Sequence, residues 1–323
     1  MSFTTSICRW LPRRRPCYEA GVRVVSLLPA ATEIVAALGM LDHLVGVSHE
    51  CNFPPAVHAL PRVTHCAIHG NALPSGDIDR WVKTALERTG TLYTMDETLL
   101  RRLAPDVIIT QRLCDVCAVG YGTVTAFAAT LPGPPAVVNL EPQTLAEVFG
   151  DVRRVAAALG VPERAAGVIA PLEARVERVR TRAAGAAARR CVLLEWIDPP
   201  FRSGHWGPEL VALAGGVDPV GRAGEDAMQV PWDVVRDAAP EVLVIACCGF
   251  DVARTVRDLP ILRAYPGFAD LPAVRNRAVW IVDGSAYFSR PGPRLVDSLE
   301  LLAPLVHPEL YAGATLPPGV AQV

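Results

Sequence analysis

The chain has 323 residues, of which 51% are hydrophobic and 20% charged, and its formal net charge at pH 7 is -2. A chain of this length exceeds the usual size of a single core, and its hydrophobic content is sufficient for two, so we expect two folded lobes and no extensive disorder. Because charges of both signs are dispersed along the chain, no electrostatic footprint for nucleic acid or an anionic membrane is present. We therefore expect neither as a partner.

Residues 1–21 are interpreted as an irregular leader. This leader has no apolar core of the length that a signal peptide needs, and its charges follow its few hydrophobic residues instead of preceding them. We therefore expect a cytosolic protein. No stretch of the chain approaches ~18 uninterrupted apolar residues, so no transmembrane helix is predicted either.

The first predicted lobe, residues 22–143, alternates short apolar runs with helical patterns. A β-rich run from Val22 to Leu28 reaches a turn at Pro29, and Thr32 is the expected cap of a helix that ends at Gly39. Three further strands and two helices are predicted in this lobe: strands LVGVS from Leu44, PDVIIT from Pro105 and PAVVNL up to Leu140, and helices at 75–89 and 96–103.

Residues 144–186 are predicted to form a helical spine that joins the first lobe to a second one. Thr144 is the expected N-cap, and apolar residues then recur at three- and four-residue spacing. Gly160 to Pro162 is a point where the helix can bend, and Pro171 is a point where it can kink. Good helix formers resume after each, which favours one long, interrupted helix over three separate ones.

The second predicted lobe, residues 187–310, repeats the plan of the first and leaves residues 311–323 as a tail. The segment TEIVAALG from Thr32 matches PELVALAG from Pro208, so that Glu33 corresponds to Glu209. Likewise, LAPDVIIT from Leu103 matches AAPEVLVIA from Ala238. Two matched pairs in the same order predict duplicated α/β lobes, because chance similarity seldom preserves order.

Alternating strands and helices predict two similar parallel-sheet lobes with helices on the sheet faces, an α/β fold. In such sheets, ligands bind outside the carboxyl ends of the strands. If the two lobes face each other across the helical spine, six loops line one cleft between them: LPAATE, SHECNF and QRLCDVCAV in the first lobe, and EWIDPPFRSGHW, CCGFD and DGSAYFSRPGPR in the second.

Several of these segments together resemble a known family. The segments are RVVSLLPAATEIVAALG, GVSHECNFP, LCDVCAV, LEWIDPPF with GHW, CGFD and AYFSRPGPRLVD. They look like the cobalamin-binding branch of the helical-backbone substrate-binding proteins, the group that serves vitamin B12 and ferric-siderophore import. The resemblance covers residues 22–305, and SHEC, LCxVCAV and CGF look like marks of a subgroup that often lacks an export signal. It implies a two-lobed, hinge-poor binder that holds its ligand between the lobes.

Four cysteines fall on predicted cleft loops and are candidate metal ligands: Cys51, Cys114, Cys117 and Cys248. Cys114 and Cys117 form a C-x-x-C pair, whose thiolates converge at a predicted helix start. Four thiolates are enough for tetrahedral zinc or an iron–sulfur cluster, and His49 or His205 is a candidate substitute ligand. A redox disulfide between Cys114 and Cys117 is the alternative.

Other residues of the cleft loops have both a functional and a structural interpretation. Glu50 and Glu195 are candidate catalytic acids or bases, although a glutamate at a strand end is often bound by a neighbouring arginine. Arg290 is a candidate partner for a ligand anion, or else it bridges its own loop. Aromatic residues and one histidine of the second lobe either form an apolar wall for a flat ligand or belong to ordinary packing. These are Trp196, Phe201, His205, Trp206, Phe250, Tyr287 and Phe288.

Two functions from different classes follow from the sequence. In the first, the protein is a non-catalytic binder of a corrinoid, such as cobalamin, or of another metal-containing small-molecule ligand, as the resemblance implies. In the second, it is a cytosolic enzyme in which cleft thiolates hold zinc or an iron–sulfur cluster that activates a small substrate. The sequence contains no Gly-rich phosphate loop, HExxH pair or nucleophile elbow, which removes the commonest nucleotide-binding, zinc-protease and hydrolase alternatives.

Overall fold

The computed structural model describes residues 21–66, 73–112 and 119–323. In the first lobe, the structure contains the predicted strands and helices together with three further elements, at residues 64–66, 93–95 and 121–128. In chain order, the elements of this lobe are β1 (Val24–Ser26), α1 (Pro29–Ala37), β2 (Leu44–Val47), β3 (Thr64–Cys66), α2 (Ser75–Thr89), β4 (Tyr93–Met95), α3 (Glu97–Leu103), β5 (Val107–Gln111), α4 (Tyr121–Ala128) and β6 (Ala136–Leu140).

The main sheet of the first lobe has the strand order β2-β1-β5-β6, and all of its described strand pairs are parallel. Strand β5 is buried along its whole length, because helices cover both faces of a parallel sheet. Strands β3 and β4 form a separate antiparallel pair, which the sequence pattern does not predict. Helix α1 starts earlier than expected, at Pro29, so Thr32 is not its cap. Thr32 lies within the helical segment, and its hydroxyl donates to Ser26 Oγ at 2.8 Å.

Two helices, not one, connect the lobes: α5 (Leu145–Ala158) and α6 (Arg164–Ala183). Thr144 caps α5 as predicted and forms a capping box with Glu147, which satisfies amide groups at the helix start. The break falls at Gly160, whose φ of 77° only glycine adopts without strain. Helix α6 continues through Pro171, so the predicted kink does not end it.

The second lobe begins at β7 and contains the remaining described elements. They are β7 (Arg189–Trp196), β8 (Phe201–Arg202), α7 (Gly207–Leu213), β9 (Gly216–Val217), β10 (Met228–Gln229), α8 (Trp232–Asp237), β11 (Val242–Ile245), α9 (Val252–Val256), α10 (Leu259–Ala264), α11 (Pro272–Arg275), β12 (Val279–Val282), α12 (Leu295–Val306) and β13 (Val320–Gln322).

The sheet of the second lobe is mixed, with a parallel centre. Its strand order is β10-β8-β7-β11-β12-β13, with β9 paired to β7, and the pairs β7–β11 and β11–β12 are parallel. The edge strands β10, β8 and β13 run antiparallel to their neighbours. Strand β13 lies within residues 311–323, which the sequence pattern predicts to be a tail, but in the structure this strand pairs with β12 and belongs to the sheet.

The internal repeat is visible in matched contacts at the amino ends of the two sheets. In the first lobe, Arg23 N–H donates to Asp106 Oδ2 at 2.9 Å, and in the second, Arg190 N–H donates to Glu241 Oε2 at 3.0 Å. Ala104 and Ala239, which precede the proline of each repeat, both have positive φ, 42° and 46°. Non-glycine residues are uncommon in this conformation, so its recurrence at matched positions supports duplicated lobes.

The largest apolar core joins the two lobes. Val24 and Ile109 of the first sheet, Leu193 of the second sheet and residues of α1, α5, α6, α7 and α12 all belong to it. Adjacent residues of the same strands have side chains on the opposite sheet face and belong to two separate outer cores: Ile108 to one in the first lobe and Leu194 to one in the second. A helical layer therefore packs between the inner faces of two sheets. None of the helices in the described part combines the length and apolarity needed to cross a membrane.

Candidate functional site

The carboxyl ends of the strands in both sheets face one cleft. The loop after β12 in the second lobe contacts α1 and the loop after β2 in the first lobe, and the loop after β8 contacts the segment after β6. Ligands of parallel α/β sheets bind at these strand ends. The predicted cleft between two lobes is therefore confirmed, and three sets of contacts cross it.

The first crossing is a buried ion-pair cluster of Glu33, Arg290 and Arg294, which we call the glutamate latch. Arg294 donates to both carboxylate oxygens of Glu33, at 3.0 and 2.8 Å. Arg290 donates to Glu33 Oε1 at 3.3 Å, to Asn52 Oδ1 at 2.6 Å and to the carbonyl oxygen of Glu50 at 3.4 Å. Glu33 is only 3% exposed, and a charge this deeply buried must be paired. Arg290, predicted to bind ligand, is thus engaged in a contact between the lobes.

The second crossing lies at the start of the connecting helix α5. Glu209 Oε2, in α7 of the second lobe, accepts a hydrogen bond from the backbone N–H of Leu145 at 2.8 Å. His205 Nδ1 lies 2.6 Å from Gln143 Oε1. Burial lowers the pKa of His205, and the negative charge of Asp226, which raises it, is the smaller effect. The ring is therefore neutral at pH 7. His205, a predicted ligand contact, therefore joins the lobes through a neutral hydrogen bond.

The third crossing is helix α2, which belongs to the first lobe in sequence but packs against the second. Ile78 of α2 is part of the second lobe's outer core. At the helix start, Ser75 N–H donates to Asp258 Oδ2 at 3.2 Å, and the carbonyl oxygen of Ser75 accepts from the indole of Trp196 at 3.3 Å. Arg254, which is ion-paired with Asp258 at 3.0 Å, also donates to the carbonyl oxygen of Leu73. A second stretch of chain therefore ties the two lobes together.

The aromatic residues predicted to line the cleft divide into two groups. Trp206, Phe250 and Phe288 are 4–6% exposed. Phe250 packs in the outer core of the second lobe, whereas Trp206 and Phe288 belong to the core that joins the lobes, and the Trp206 indole donates to the carbonyl oxygen of Phe288 at 2.7 Å. Trp196, Phe201 and Tyr287 are partly exposed. The Trp196 ring also lies 4.7 Å from the Phe250 ring. The partly exposed group is the one that a ligand reaches without rearrangement of the core.

The two candidate acid–base glutamates lie in different lobes and in different environments. The Glu50 side chain is 52% exposed, with Oε1 3.4 Å from His49 Nε2. His49 Nδ1 lies 2.8 Å from Thr64 Oγ1, and burial lowers the pKa of this histidine. Glu195 is partly exposed at the end of β7, and removal of its carboxyl from water raises its pKa to about 8. The Glu195 carboxyl therefore holds its proton more tightly than an ordinary glutamate does.

Cys51 is a buried thiol within the first lobe. Its Sγ lies 3.0 Å from Thr32 Oγ1 and 3.4 Å from Ser48 Oγ. Burial raises the pKa of this thiol, so it is protonated at neutral pH. The metal role of Cys51 stays a prediction.

The other predicted metal ligands give no further support to a metal centre. Cys248 is exposed after β11, and Cys114 and Cys117 lie outside the described residues. Within the part of the chain that the structure describes, no group of three or more His, Cys, Asp or Glu side chains is arranged to hold a metal ion. The four-cysteine site stays a prediction, and the metal-dependent enzyme gains no support from these residues.

Sequence reasoning missed most residues that join the lobes. Glu33 and Glu209 were matched as repeat positions, and this was a usable signal: each contacts the start of a helix that follows the last parallel strand of the opposite repeat. Asn52, Ser75 and Asp258 carried no such signal. Their partners lie far away in the sequence, and their residue types are common in loops.

The sequence and the fold are both similar to known binding proteins. The chain is 24% identical over 288 residues to the vitamin B12-binding protein of Vibrio cholerae serotype O1, covering 86% of each chain. The solved vitamin B12 binding protein BtuF of Vibrio cholerae superposes with a TM-score of 0.64 at 22% identity, over 90% of this chain and 98% of that one. A periplasmic heme binding protein from Pseudomonas aeruginosa superposes with a TM-score of 0.70 at 20% identity, over 93% and 97%.

A family model described as periplasmic binding protein matches residues 24–286. The match begins at β1 and ends in the loop after β12, so it contains the first sheet, all of the second sheet except β13, the connecting helices and five of the six predicted cleft loops in full. The two-lobed fold, the helical connection and the cleft agree with this match. The chain belongs to the periplasmic binding protein family.

Proposed function

We propose that the protein binds a corrinoid, such as cobalamin, in the cleft between its two lobes. The family supports a binding role. The relatives reported above are named for binding vitamin B12 or heme, which are both large, flat tetrapyrrole-type metal complexes. A ligand of this size requires surface from both lobes, and the strand-end loops of both lobes meet at this cleft.

The observation that favours a corrinoid over heme is the pairing of the arginines in the second-lobe loops. Arg202 is bound to Glu225 at 2.9 Å, Arg254 to Asp258 at 3.0 Å, and Arg290 and Arg294 to Glu33. Each guanidinium thus already has a carboxylate partner. The described parts of the first-lobe cleft loops contain one arginine, Arg112, and its side chain is exposed to solvent.

The side chains of the two ligand classes differ in the charge that they bring to such a cleft. Heme carries two propionate carboxylates, whereas the peripheral side chains of a corrinoid are neutral carboxamides. Bringing a carboxylate out of water requires a cation or several donors, and carboxamides require only neutral hydrogen-bond partners. Since the second-lobe arginines are already paired, amide side chains are the better match.

Partly exposed aromatic rings supply the apolar surface for the macrocycle. Trp196, Phe201 and Tyr287 lie on the second-lobe loops and retain exposed area. Aromatic faces stack on flat conjugated ligands and bury a large apolar area at low entropic cost. These three residues, together with the first-lobe loop around Phe53, which is 40% exposed, are the proposed contact surface.

Calorimetric titration of the purified protein with cyanocobalamin and, separately, with hemin tests the proposal. We expect 1:1 binding of cyanocobalamin and at least tenfold weaker binding of hemin, about 1.4 kcal/mol in binding free energy. Trp196→Ala should weaken cyanocobalamin binding, whereas Val234→Ala, at an exposed second-lobe position, should leave it unchanged. Tighter binding of hemin, or no binding of cyanocobalamin, would contradict the proposal.

The proposal includes a cytosolic location, as expected from the leader sequence. Fractionation of cells that produce the chain with a carboxyl-terminal tag tests this part separately. We expect the intact chain with the cytosol. A shortened form outside the cytoplasmic membrane would contradict the location and leave the binding proposal standing.

A further inference from the structure

Trp196, at the carboxyl end of β7, belongs to the proposed contact surface, and its edge is bound by both lobes. The indole N–H donates to the carbonyl oxygen of Asp198, in the loop after β7, at 3.0 Å and to the carbonyl oxygen of Ser75 at 3.3 Å. Ser75 is the first residue of α2 and lies 121 positions away in the sequence. The Trp196 side chain keeps part of its surface exposed. A partly exposed ring of the second lobe is thus bound by the backbone of the first lobe.

The plane of the Trp196 ring is restrained through two further side chains of the second lobe. The ring centroid lies 4.7 Å from that of Phe250, at an interplanar angle of 44°. The guanidinium of Arg254 lies over the Phe250 ring, 4.0 Å from its centroid, and donates to the carbonyl oxygen of Leu73 in the first lobe. Leu73 and Ser75 therefore restrain the indole at its edge directly and at its face indirectly.

Gly76, the second residue of α2, sets the distance between this helix and the loop after β7. It is buried, and a Cβ at this position would overlap Asp198 Oδ2 and would lie 3.0 Å from the carboxyl carbon of Asp198. A larger residue would therefore force the helix and the loop apart. Since Ser75 and Asp198 supply the two acceptors of the Trp196 indole, the glycine controls how these acceptors are spaced.

A ring that is held in this way binds a flat ligand without first losing rotational freedom. An indole N–H that loses its acceptors in a partly buried place has to find others, and this turns the ring. An aromatic side chain that is free in the unbound protein has to be ordered when the ligand binds, which weakens binding about fivefold. The orientation of Trp196 in the ligand-free protein therefore contributes to affinity.

We propose that Ser75 and Gly76, at the start of α2, are positioning residues of the cleft, which hold Trp196 in the orientation in which it contacts the bound corrinoid. This inference rests on the proposed function. Neither residue has to touch the ligand, because the backbone of Ser75 binds the indole and the absence of a side chain at Gly76 admits Asp198. The first lobe therefore contributes to affinity through a ring that belongs to the second lobe.

Calorimetric titration with cyanocobalamin tests this inference in a double-mutant cycle. Gly76→Ala should weaken binding about fivefold in the wild-type background and less than about twofold in the Trp196→Ala background, because the ring through which it acts is then absent. Gly167→Ala, at an exposed position of α6, is the matched control. None of the described residues has an atom within 4 Å of a Cβ at this position, so affinity should not change.

Two further measurements keep the test independent of one substitution. Arg254→Met removes the bond to Leu73, so it should also weaken binding, and only where Trp196 is present. Fluorine-19 NMR of protein labelled with 5-fluorotryptophan measures the position of the ring without ligand. The Trp196 resonance, identified by its loss in Trp196→Ala, should shift or broaden in Gly76→Ala and stay unchanged in Gly167→Ala.

The outcomes separate this inference from the proposed function. Cyanocobalamin affinity that is equal in the wild type and Gly76→Ala, or that falls by the same factor with and without Trp196, overturns the positioning role and leaves the corrinoid function standing. An unchanged Trp196 resonance in Gly76→Ala also overturns it. If Gly76→Ala does not fold, the same criteria apply to Arg254→Met. A wild type that does not bind cyanocobalamin overturns both. Weaker binding that depends on Trp196, together with an altered Trp196 resonance, supports the proposal.

Discussion

The carboxylate of Glu33 accepts hydrogen bonds from two arginines that are more than 250 positions away in the sequence. The cluster is largely withdrawn from water, since the side chains of Glu33, Arg290 and Arg294 are 2%, 6% and 19% exposed. Two cations that share one buried anion are destabilised strongly when the anion is lost, because each retains its desolvation cost without its main partner. The latch therefore makes the lobes interdependent.

Glu33→Gln should lower the free energy of unfolding by about 3 kcal/mol, because the amide keeps the shape of the carboxylate but leaves both arginines without a countercharge. Chemical unfolding followed by fluorescence measures this difference. Glu173→Gln is the matched control: its ion pair with Arg153 is more than half exposed, so we expect a change of no more than about 1 kcal/mol. Equal effects of the two substitutions would show that the latch does not stabilise the fold.

Asp151 of helix α5 gives the stability a dependence on pH. It is 1% exposed, its Oδ1 accepts from Arg154, and its Oδ2 has no hydrogen-bond partner among the described residues. Burial raises its pKa to about 7 from an ordinary value of 3.8, against the opposing charge of Arg154. The folded state thus binds the proton more tightly than the unfolded chain does. The resulting stabilisation is complete below about pH 4 and is lost as the pH rises through 7.

Asp151→Asn removes this titration, so its melting temperature relative to the wild type should be higher at pH 8 than at pH 5. Thermal unfolding of both proteins at the two pH values measures this difference. Glu97→Gln, at an exposed site, should show the same offset from the wild type at both pH values. An equal offset for Asp151→Asn at pH 5 and pH 8 would mean that Asp151 does not titrate in this range.

Residue types and local patterns predicted many elements of the fold but few of its contacts. Thr144 has the N-cap signature, with Glu147 three residues later, and the structure shows the capping box. Arg290 had no local signal for its buried partner, because the pairing depends on how the lobes pack. The sequence therefore placed Arg290 on the right loop without revealing its contact with Glu33.

The elements that escaped prediction are short or depend on distant partners. Strands β8, β9 and β10 have two residues each, which is too few for a hydrophobic period to be visible. Helix α2 was predicted at the right residues, but its packing against the second lobe was not. Its amphipathic pattern predicts that one face of the helix is buried. The pattern does not indicate whether that face packs against the first lobe or the second.

The break between α5 and α6 gives a direct test of backbone conformation. Gly160 has a φ of 77°, and a Cβ there would have no atom within 4 Å, so any cost of Gly160→Ala comes from the backbone alone. We expect it to destabilise the protein by about 1 kcal/mol in chemical unfolding.

Gly150→Ala is the matched control for this position. Gly150 lies inside α5, has the same open surroundings and has no positive φ, so alanine should stabilise the helix by about 0.5–1 kcal/mol. Opposite signs for the two substitutions would confirm that the connection is two helices in solution. A stabilising Gly160→Ala would indicate one continuous helix instead.

The two lobes form one mechanical unit in this structure. A single apolar core contains residues of both sheets and of the helices between them, and the glutamate latch, the contacts at the start of α5 and the docked helix α2 add three polar connections. The repeat in the sequence predicted two lobes and a shared cleft, because repeats fold alike. It did not predict how tightly they are joined: Glu33 and Glu209 occupy matched positions, but their partners differ, and Ser75 and Asp258 join the lobes without a counterpart in the repeat.

This coupling predicts that ligand binding changes the shape of the protein very little. Opening the cleft by a large hinge motion would break the latch and expose part of the shared core, each at a cost of several kcal/mol. Small-angle X-ray scattering of the wild type should give a radius of gyration of about 20 Å, with a change of less than about 1 Å on addition of cyanocobalamin. The double variant Glu33→Gln, Arg254→Met lacks the latch and one anchor of α2, so it should be larger without ligand and should contract when ligand binds. A wild type that contracts by several ångströms would show that the lobes move as hinged bodies despite these contacts.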